Sequence, residues 1–573
     1  MDNRDIARAF EQIAHLMEID GADPFRVRSY ENVARTIREL GESAAALAEA
    51  GRLQDIPHVG KSTAAKIQEL LETGRIAALE ELKAKFPAGL LDMLEIPGMG
   101  PKKVALVYNK LGLADVEGLA AAAEKGELRD LEGMGAKTEE NILRGIKVYR
   151  QGRERALLGD VLPVAEQIVE KLKQVKGVKA ASTAGSLRRG RETIGDIDVL
   201  ATARDSAQVC DAFQQFEELR EVILAGDTKV SAYLQNGRQI DLRVVEPDSW
   251  GAALMYFTGS KEHNIVLRQR AIDQGLKLNE YGLFREGKEE KRIAGKTEEE
   301  VYQKLGLPCI EPELREDSGE VEAAEQAKLP KLIALKDIKG DLHMHTTASD
   351  GAHTLEEMLE ACRTQGYKYL AITDHSQSLG VAGGLSPRAL EKQIEAIRKL
   401  NDELDDIEVL AGCEVDIKPD GSLDYPQELL RELDLVLAAI HAGFSSDVER
   451  ITRRIVTAFE TGRVHLFSHP TGRLIGRREP YGIDIERVIQ AAKDTDTALE
   501  INAYPERLDL NDVHCRMAKQ AGVKIAINTD AHSASMLEYM RYGVLTARRG
   551  WLESTDVVNT WPLARFLKWV RRK

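Results

Sequence analysis

Cysteine, aromatic residues and surplus positive charge are all in short supply in this chain. Five cysteines stand among 573 residues, at Cys210, Cys309, Cys362, Cys413 and Cys515, with no CxxC pair. That excludes a disulfide framework or a thiolate knuckle and fits reduced thiols in a cytoplasm. No apolar run approaches the ~18 residues that cross a bilayer. The opening MDNRDIARAFEQIAHLMEID lacks the basic-then-apolar order of a signal peptide. A cytoplasmic location with no membrane partner is therefore expected. Lys+Arg total 79 against 94 Asp+Glu, a net charge of −15, the reverse of a chain that coats nucleic acid through bulk charge. Local basic stripes and backbone amides are still able to hold DNA in such a protein. The chain does have 43% hydrophobic and 30% charged residues, enough for several cores. Its length predicts roughly three or four domains.

Histidine is unevenly placed. Of 12 histidines, His343, His345, His353, His375, His441, His465, His469, His514 and His532 all fall after residue 339. This enrichment points to a metal site in the C-terminal part.

Texture changes along the chain. Residues 1–150 carry apolar residues at three- and four-residue spacing, as helices do. They are punctuated by IPHVGKSTAAKI (56–67), IPGMGPKKVALV (96–107) and LEGMGAKTEENI (131–142), a loose repeat. A Gly-x-Gly turn opening a helix presents free backbone N–H groups to a phosphate. Gly98 with Gly100 and Gly133 with Gly135 have that form, and His58-Val59-Gly60 lacks the first glycine. Lys61, Lys102, Lys103 and Lys137 add charge. Contact would be with the sugar–phosphate backbone and blind to base sequence. These segments resemble helix-hairpin-helix DNA-binding motifs.

Residues 155–311 mix β-branched runs with helices, which predicts an α+β domain. GDIDVL places Asp196 and Asp198 two apart, so on a strand both carboxylates face one side. Asp241 lies in a second apolar run, RQIDLRVV. Three acids among apolar neighbours call for cations, and two Mg2+ bridging a triphosphate would satisfy them. Upstream, Gly185-Ser186-Leu187-Arg188-Arg189-Gly190 supplies a turn, a hydroxyl and two guanidinium groups suited to a triphosphate. Downstream come Tyr256-Phe257-Thr258-Gly259-Ser260, Asn264 and Arg268.

With these residues, 1–311 resembles a family X DNA polymerase, the polymerase beta-like group. The resemblance implies that Asp196, Asp198 and Asp241 bind two Mg2+ or Mn2+ ions, with Asp241 helping to activate the primer 3′-OH. It assigns Ser186, Arg189 and Gly195 to the triphosphate of a dNTP and Tyr256, Phe257 and Gly259 to its sugar. Asn264 and Arg268 correspond to minor-groove contacts, and Lys66 to the family's lyase lysine. Two departures are visible: Lys261 stands where animal members carry an acid, and Ser62 replaces a lysine of the 5′-phosphate pocket.

Residues 312–338 are acidic and then proline-punctuated, and are expected to form a loosely packed linker. From 339 on, short apolar runs alternate with helices and end in His, Glu, Asn or Asp, which predicts a closed or nearly closed α/β barrel with its working groups at the strand ends. GDLHMHTTASDG supplies His343, His345 and Asp350. Later ends add His375, Glu414, His441, His469, Asp530 and His532. Nine mixed His and carboxylate groups are too many for one ion and suit Zn2+, Mn2+ or Fe2+ better than Ca2+. The segment 339–573 resembles a PHP (polymerase and histidinol phosphatase) domain, a distorted (β/α)7 barrel with three metals. That resemblance assigns His343, His345, Glu414 and Asp530 to one ion, Glu414, His441 and His469 to a second, and Asp350, His375 and His532 to a third. Arg473, Arg477 and Arg478 are further phosphate-binding candidates.

The expected architecture is multidomain α+β and α/β. It has a helical DNA-binding domain (1–85), a helix-hairpin-helix, fingers/thumb-like helical domain (86–154), a mixed-sheet nucleotidyltransferase palm (155–250) and a nascent-pair subdomain (251–311). The linker and the PHP barrel follow. The expected function is a monomeric, nucleoid-associated repair polymerase that fills gapped or nicked duplex DNA. A metal-dependent 3′→5′ exonuclease or 3′-phosphodiesterase, with AP endonuclease action as an extension, would clean its primer ends. The rival expectation is a PHP phosphoesterase whose polymerase half only positions DNA.

Overall fold

The computed structural model describes residues 3–571 apart from 41–42, 97, 286–290 and 445–446. Pro97 of the second hairpin and Arg572 and Lys573 of the tail lie outside the described residues. No helix among the described residues is long and apolar enough to cross a membrane.

The N-terminal part is helical through residue 154 and shares one apolar core, from Ile6 to Ile146. Each hairpin buries its middle residue (Val59, Met99 and Met134) and exposes the two flanking ones. Apolar anchoring of the turn centre thus leaves the turn rims facing water.

The palm is a five-stranded mixed sheet in the order Ala180–Thr183, Ile197–Thr202, Gln239–Val245, Lys229–Leu234, Leu219–Ala225. The second and third of these run parallel, and all other pairs are antiparallel. The nascent-pair subdomain, or thumb, adds the helices Trp250–Thr258 and Lys261–Asp273 and a three-stranded sheet. Residues 312–338 depart from the loose linker that composition suggests. Leu314, Val321 and Ala324 are buried in the thumb core, Arg315 is fully buried, and Glu320 pairs with His263 at 2.6 Å. The reason lies in tertiary pairing: the acids that read as solvated find partners in the fold, arginines for Glu313 and Glu316 and the His263 imidazole for Glu320.

Seven parallel strands form the barrel: Gly340–Asp341, Tyr369–Ile372, Glu408–Asp416, Leu435–Ala439, Leu466–Phe467, Ala498–Asn502 and Ile525–Asn528. The seam between first and last is closed at both ends. Met344 and Ala531 form a parallel bridge just beyond the strands. At the other end the Asn559 side chain donates to the Gly340 carbonyl (2.9 Å) and accepts from Ile527 N–H (3.1 Å). The helix Leu563–Val570 caps that end, packing Phe566, Trp569 and Val570 on the inward residues Leu342, Tyr369, Leu410 and Leu437. The opposite end stays polar, so the strands present their terminal residues there.

Candidate active sites

The three hairpins share one backbone solution. His58, Gly98 and Gly133 all have φ between +63° and +86°, the left-handed region that favours glycine. Turn bonds Val59 N–H to Ile56 O (3.1 Å), Met99 N–H to Ile96 O (2.9 Å) and Met134 N–H to Leu131 O (2.9 Å) repeat the geometry. Gly60 and Gly100 cap the next helices at φ −85° and −87°, which any residue could adopt. A Cβ at Gly60, Gly100 or Gly135 would meet nothing within 4 Å. Neither fold nor packing demands glycine there, so its value lies in close approach by something outside. Lys61, Lys102 and Lys137 are exposed beside these turns. Lys66 Nζ donates to Ser62 Oγ at 3.0 Å.

In the palm, Asp198 and Asp241 are direct cross-strand partners in the parallel pair. Asp196 sits in the turn before its strand, exposed, and not on the strand as the D-x-D spacing suggests. It remains close enough to act on Asp198. Burial first, then the Asp196 and Asp241 charges, push the Asp198 carboxyl up to about 7. Burial also works to raise Asp241, but hydrogen bonds from Ser231, Gln239 and Lys229 outweigh it and hold that group below the usual range. Lys229 Nζ lies 3.2 Å from Asp241 Oδ2. Gly185 has φ +58°, and a methyl group there would run into Asp198 Oδ2. The one-turn helix Gly185–Arg188 therefore approaches the acidic cluster by backbone alone. An acidic triad that pushes up one member's proton affinity is a site short of cations, and its donor set suits divalent ions.

The two arginines after that turn are engaged elsewhere. Arg188 forks onto Glu298 at 2.9 and 2.6 Å and reaches Thr258 Oγ1 at 2.6 Å. Arg189 donates to Glu316 at 3.0 Å and to the Thr258 carbonyl. The Arg189 N–H closes back on the Gly185 carbonyl at 3.3 Å, and its guanidinium lies against the Thr258–Ser260 turn. Asn264 donates to the Tyr256 carbonyl at 2.7 Å, Arg243 lies 4.7 Å over the Phe257 ring, and Arg268 bonds its own helix, at the Asn264 carbonyl, 3.3 Å. Ser186 and Gly195 flank the same turn and strand entry.

At the barrel rim all nine predicted ligands converge. Three clusters have donor atoms close enough to share an ion: His343, His345 and Asp530; His345, Asp350, His375 and His532; His375, Glu414 and His441. Glu414 sits at the centre. Its Oε1 faces His469 (2.9 Å) and His441 (3.4 Å), and its Oε2 faces His375 (3.0 Å), His343 (3.4 Å) and His345 (3.7 Å). The grouping differs from the expected one in bringing His375 to the Glu414 cluster and His345 to the Asp350 cluster. His345 stacks between His375 and His532, each ring 4.3 Å away.

His343 Nε2, His345 Nδ1 and His375 Nδ1 are buried without an aligned hydrogen bond. Orphaned buried nitrogens aimed at clustered carboxylates are the mark of a metal-binding set, so the residues fit two or three divalent ions. Their electrostatics agree. Burial lowers histidine basicity, yet Glu414 and Asp350 outweigh it and push His375 up to about 9. Glu414 and Asp416 push His441 up to about 10. His345, buried and flanked by His532 and His375, is held down near 4. Against burial, the surrounding histidines hold Glu414 and Asp530 well below the carboxylate range. His469 and Asp530 sit at φ +28° and +54°, backbone strain tolerated where the surrounding structure over-determines position.

A supporting layer escaped sequence reading. Glu500 accepts from His343 Nδ1 (2.8 Å), His469 N–H (2.7 Å) and Asn528 Nδ2 (2.8 Å). Asp416 orients His441 Nδ1 at 3.2 Å, and Asn502 donates to Asp530 at 2.9 Å. Such partners fix the ring orientation and basicity of ligands. Arg507 lies 3.9 Å from Asp530 with a buried, unpartnered Nη1. Glu500, Asn502 and Asp416 stand in the strand-end runs ALEIN and GCEVD, so the strand-end rule was the signal that could have found them. Arg473 is drawn away to Glu192 of the palm at 2.6 Å, Arg477 pairs with Glu506, and Arg478 bonds the Gly472 carbonyl.

Known proteins match the chain along its whole length. Residues 1–76 match the helix-hairpin-helix domain family, 90–147 the SAM-like helix-hairpin-helix tandem, 159–246 the DNA polymerase beta palm, 253–316 the DNA polymerase beta thumb and 341–503 the PHP domain. The DNA polymerase/3′-5′ exonuclease PolX of Bacillus subtilis is 42% identical over 99% of this chain and 98% of its own length. DNA polymerase lambda of Rattus norvegicus is 29% identical over 55% of this chain and 56% of its own. A probable phosphatase of Thermoanaerobacter is 29% identical over 41% of this chain and 96% of its own length.

Proposed function

Because this chain belongs to the family X DNA polymerases that carry a C-terminal PHP domain, we propose how its two sites divide the work of a DNA polymerase and a 3′→5′ exonuclease. Both reactions depend on divalent metal. When bound, the ions draw carboxylates and phosphate oxygens together and offset the charge that builds during transfer.

In the polymerase half, Asp196, Asp198 and Asp241 would hold the ions, Mg2+ or Mn2+. Asp241, ionised and supported by Ser231, Gln239 and Lys229, takes the primer 3′-OH proton as its oxygen attacks the dNTP α-phosphorus and pyrophosphate leaves. The Gly185 turn, Ser186, Gly195 and Arg189 receive the triphosphate. Arg188, tied to Glu298, supports the turn from behind. Tyr256, Phe257 and Gly259 contact the sugar, and Asn264 and Arg268 the minor groove. The hairpin glycines with Lys61 and Lys102 hold the backbone of gapped or nicked duplex. Lys66, beside Ser62, is the lyase candidate.

In the barrel, the nine His and carboxylate groups would hold Mn2+, Zn2+ or Fe2+. Glu414 presents one oxygen to each side of the cluster, and Arg507 has a free donor for the scissile phosphate. Water adds to the phosphorus, the primer 3′-oxygen leaves with a proton, and a clean 3′-OH is ready for Asp241. Gap filling with trimming of damaged 3′ ends, and cleavage at abasic sites, follow from that pairing. The convergence of nine His and carboxylate groups on one rim is the observation that carries the second site.

A gel assay on a one-nucleotide gap tests the division. Asp196→Ala with Asp198→Ala is expected to lose extension and keep primer degradation, and His343→Ala with His345→Ala the reverse. Normal degradation by the histidine variant would remove the exonuclease from the barrel.

A further inference from the structure

The segment Glu311–Glu316 leaves the thumb and runs between two bodies. On one side stands the barrel helix Met540–Arg549. Arg548 forks onto Glu313 at 2.7 and 3.2 Å and reaches Glu311 at 3.5 Å. Arg549, nearly buried, holds Glu316 at 2.9 Å and Asp512 at 2.9 and 2.6 Å, and also donates to the Arg189 carbonyl at 2.9 Å.

On the other side the same segment touches the nucleotide-binding candidates. Glu316 Oε1 accepts from Arg189 Nε at 3.0 Å, so one carboxylate oxygen is shared by Arg189 and Arg549. The Arg315 carbonyl accepts the Ser260 N–H at 3.0 Å. Arg189 closes the turn that begins at Gly185, which abuts Asp198. An unbroken run of contacts thus joins Asp512 of the barrel to Asp198 of the palm. None of Arg548, Arg549, Glu316 and Asp512 belongs to either metal cluster.

We propose that the barrel helix Met540–Arg549 is a positioning element of the polymerase site. Through Arg548 and Arg549 it clamps the strap Glu311–Glu316, and the strap sets where Arg189 and the Thr258–Ser260 turn meet the dNTP triphosphate and sugar. This rests on the reading of Arg189 and that turn as nucleotide-binding. A half-buried carboxylate bonded by two guanidinium groups has little freedom, because each bond restricts the geometry of the other. Freeing one side lets Arg189 sample positions that do not suit a triphosphate. Nucleotide binding then weakens, while the Asp triad, held by its own strands, keeps its geometry.

The test uses the full chain as wild type, Arg549→Ala, Glu316→Gln and the double variant, on a one-nucleotide gap. Expected is a rise of about 10-fold in the dNTP KM with kcat within about 3-fold, since the lost contacts act on nucleotide binding. The double variant should be no worse than the worse single one, because both act through one contact. Primer degradation without dNTPs stays at the wild-type rate, which shows an intact barrel. Glu316→Gln keeps shape and an acceptor oxygen, and decides the matter alone if Arg549→Ala does not fold. Unchanged KM in Glu316→Gln overturns the proposal. So does a parallel fall of both activities at constant KM, which marks a purely structural network, and so do additive effects in the double variant. Failure of wild type to extend the primer at all would sink the polymerase reading instead.

Discussion

Gly185 has no room for a side chain, since its φ is +58° and a methyl group would strike Asp198 Oδ2. Gly185→Ala should therefore displace a metal-binding carboxylate and cost about 100-fold or more in extension, because small misplacements in a reacting geometry carry that penalty. Primer degradation measured on the same preparation should not change. Glu298 supplies a pH test. Although burial works to raise it, Arg188 and Arg315 hold its carboxyl down at about 2, against 4.5 for the free group. A depressed folded value means the stabilisation is fully present above 4.5 and is lost as pH falls toward 2. Glu298→Gln leaves Arg315 buried and unpaired, and should cost about 3 kcal/mol at neutral pH. In urea melts that gap should narrow steadily as pH drops below 4.5. Most barrel metal-ligand candidates were legible at this scale because they end apolar runs and need no partner to be noticed, and Asp350 came with the loop motif GDLHMHTTASDG. Arg507 was not legible, since it ends no strand, and although Glu500 and Asp416 share the strand-end signal, which ligands they orient is set by contacts across the barrel. Arg188 misled for the same reason: its charge suits a phosphate, but Glu298, 110 residues on, claims it.

The hairpins argue at the scale of the element. Their repeat was readable because a left-handed turn, a buried centre and a helix start leave a short, regular signature. The structure adds a division of labour between the two glycines. The first meets a conformational need and the second an external one. His58→Gly should stabilise the N-terminal helices by about 0.5–1 kcal/mol, by relieving a side chain held at φ +63° at the expense of a more flexible unfolded chain. Gly100→Ala should leave the melting curve unchanged and weaken binding to gapped duplex, read by fluorescence anisotropy. Unaltered affinity would mean that no phosphate approaches this turn. The strap Glu311–Glu316 was illegible as an element. Acidic composition predicts a solvated linker, and it is tertiary contact that makes it packed structure: a core that takes Leu314, the palm's Arg189, and the arginines of a helix more than 200 residues later.

At the scale of the whole molecule, the alternating strands and helices announced the barrel, and the palm was visible in its acids. How the halves meet was not, because interface pairs such as Arg473–Glu192 and Arg541–Glu166 (2.6 and 2.7 Å) carry no periodic pattern. Leu508 and Tyr542 of the barrel enter the palm core, and Gly159 leaves space for Pro505 within 2.5 Å of where a Cβ would stand. Ions bound by the folded barrel alone should stabilise it by mass action. Micromolar Mn2+ or Zn2+ is expected to raise the melting temperature of chelator-treated protein. Glu414→Gln should lose that rise together with bound metal measured by mass spectrometry, while retaining primer extension.

The closed seam of the barrel bears on ancestry. Lys339 N–H, where the barrel begins, donates to the carbonyl of Asn559, near its end, at 2.8 Å, so the module's two ends emerge side by side. A unit with adjoining ends can be cut from one gene and joined to another without rethreading its strands, and the free-standing relative that matches this part over 96% of its length has the form of such a unit. Under the clamp proposed for Arg549 and Glu316, a polymerase half separated from its passenger would bind nucleotide less tightly, while the acids of its own strands kept their places.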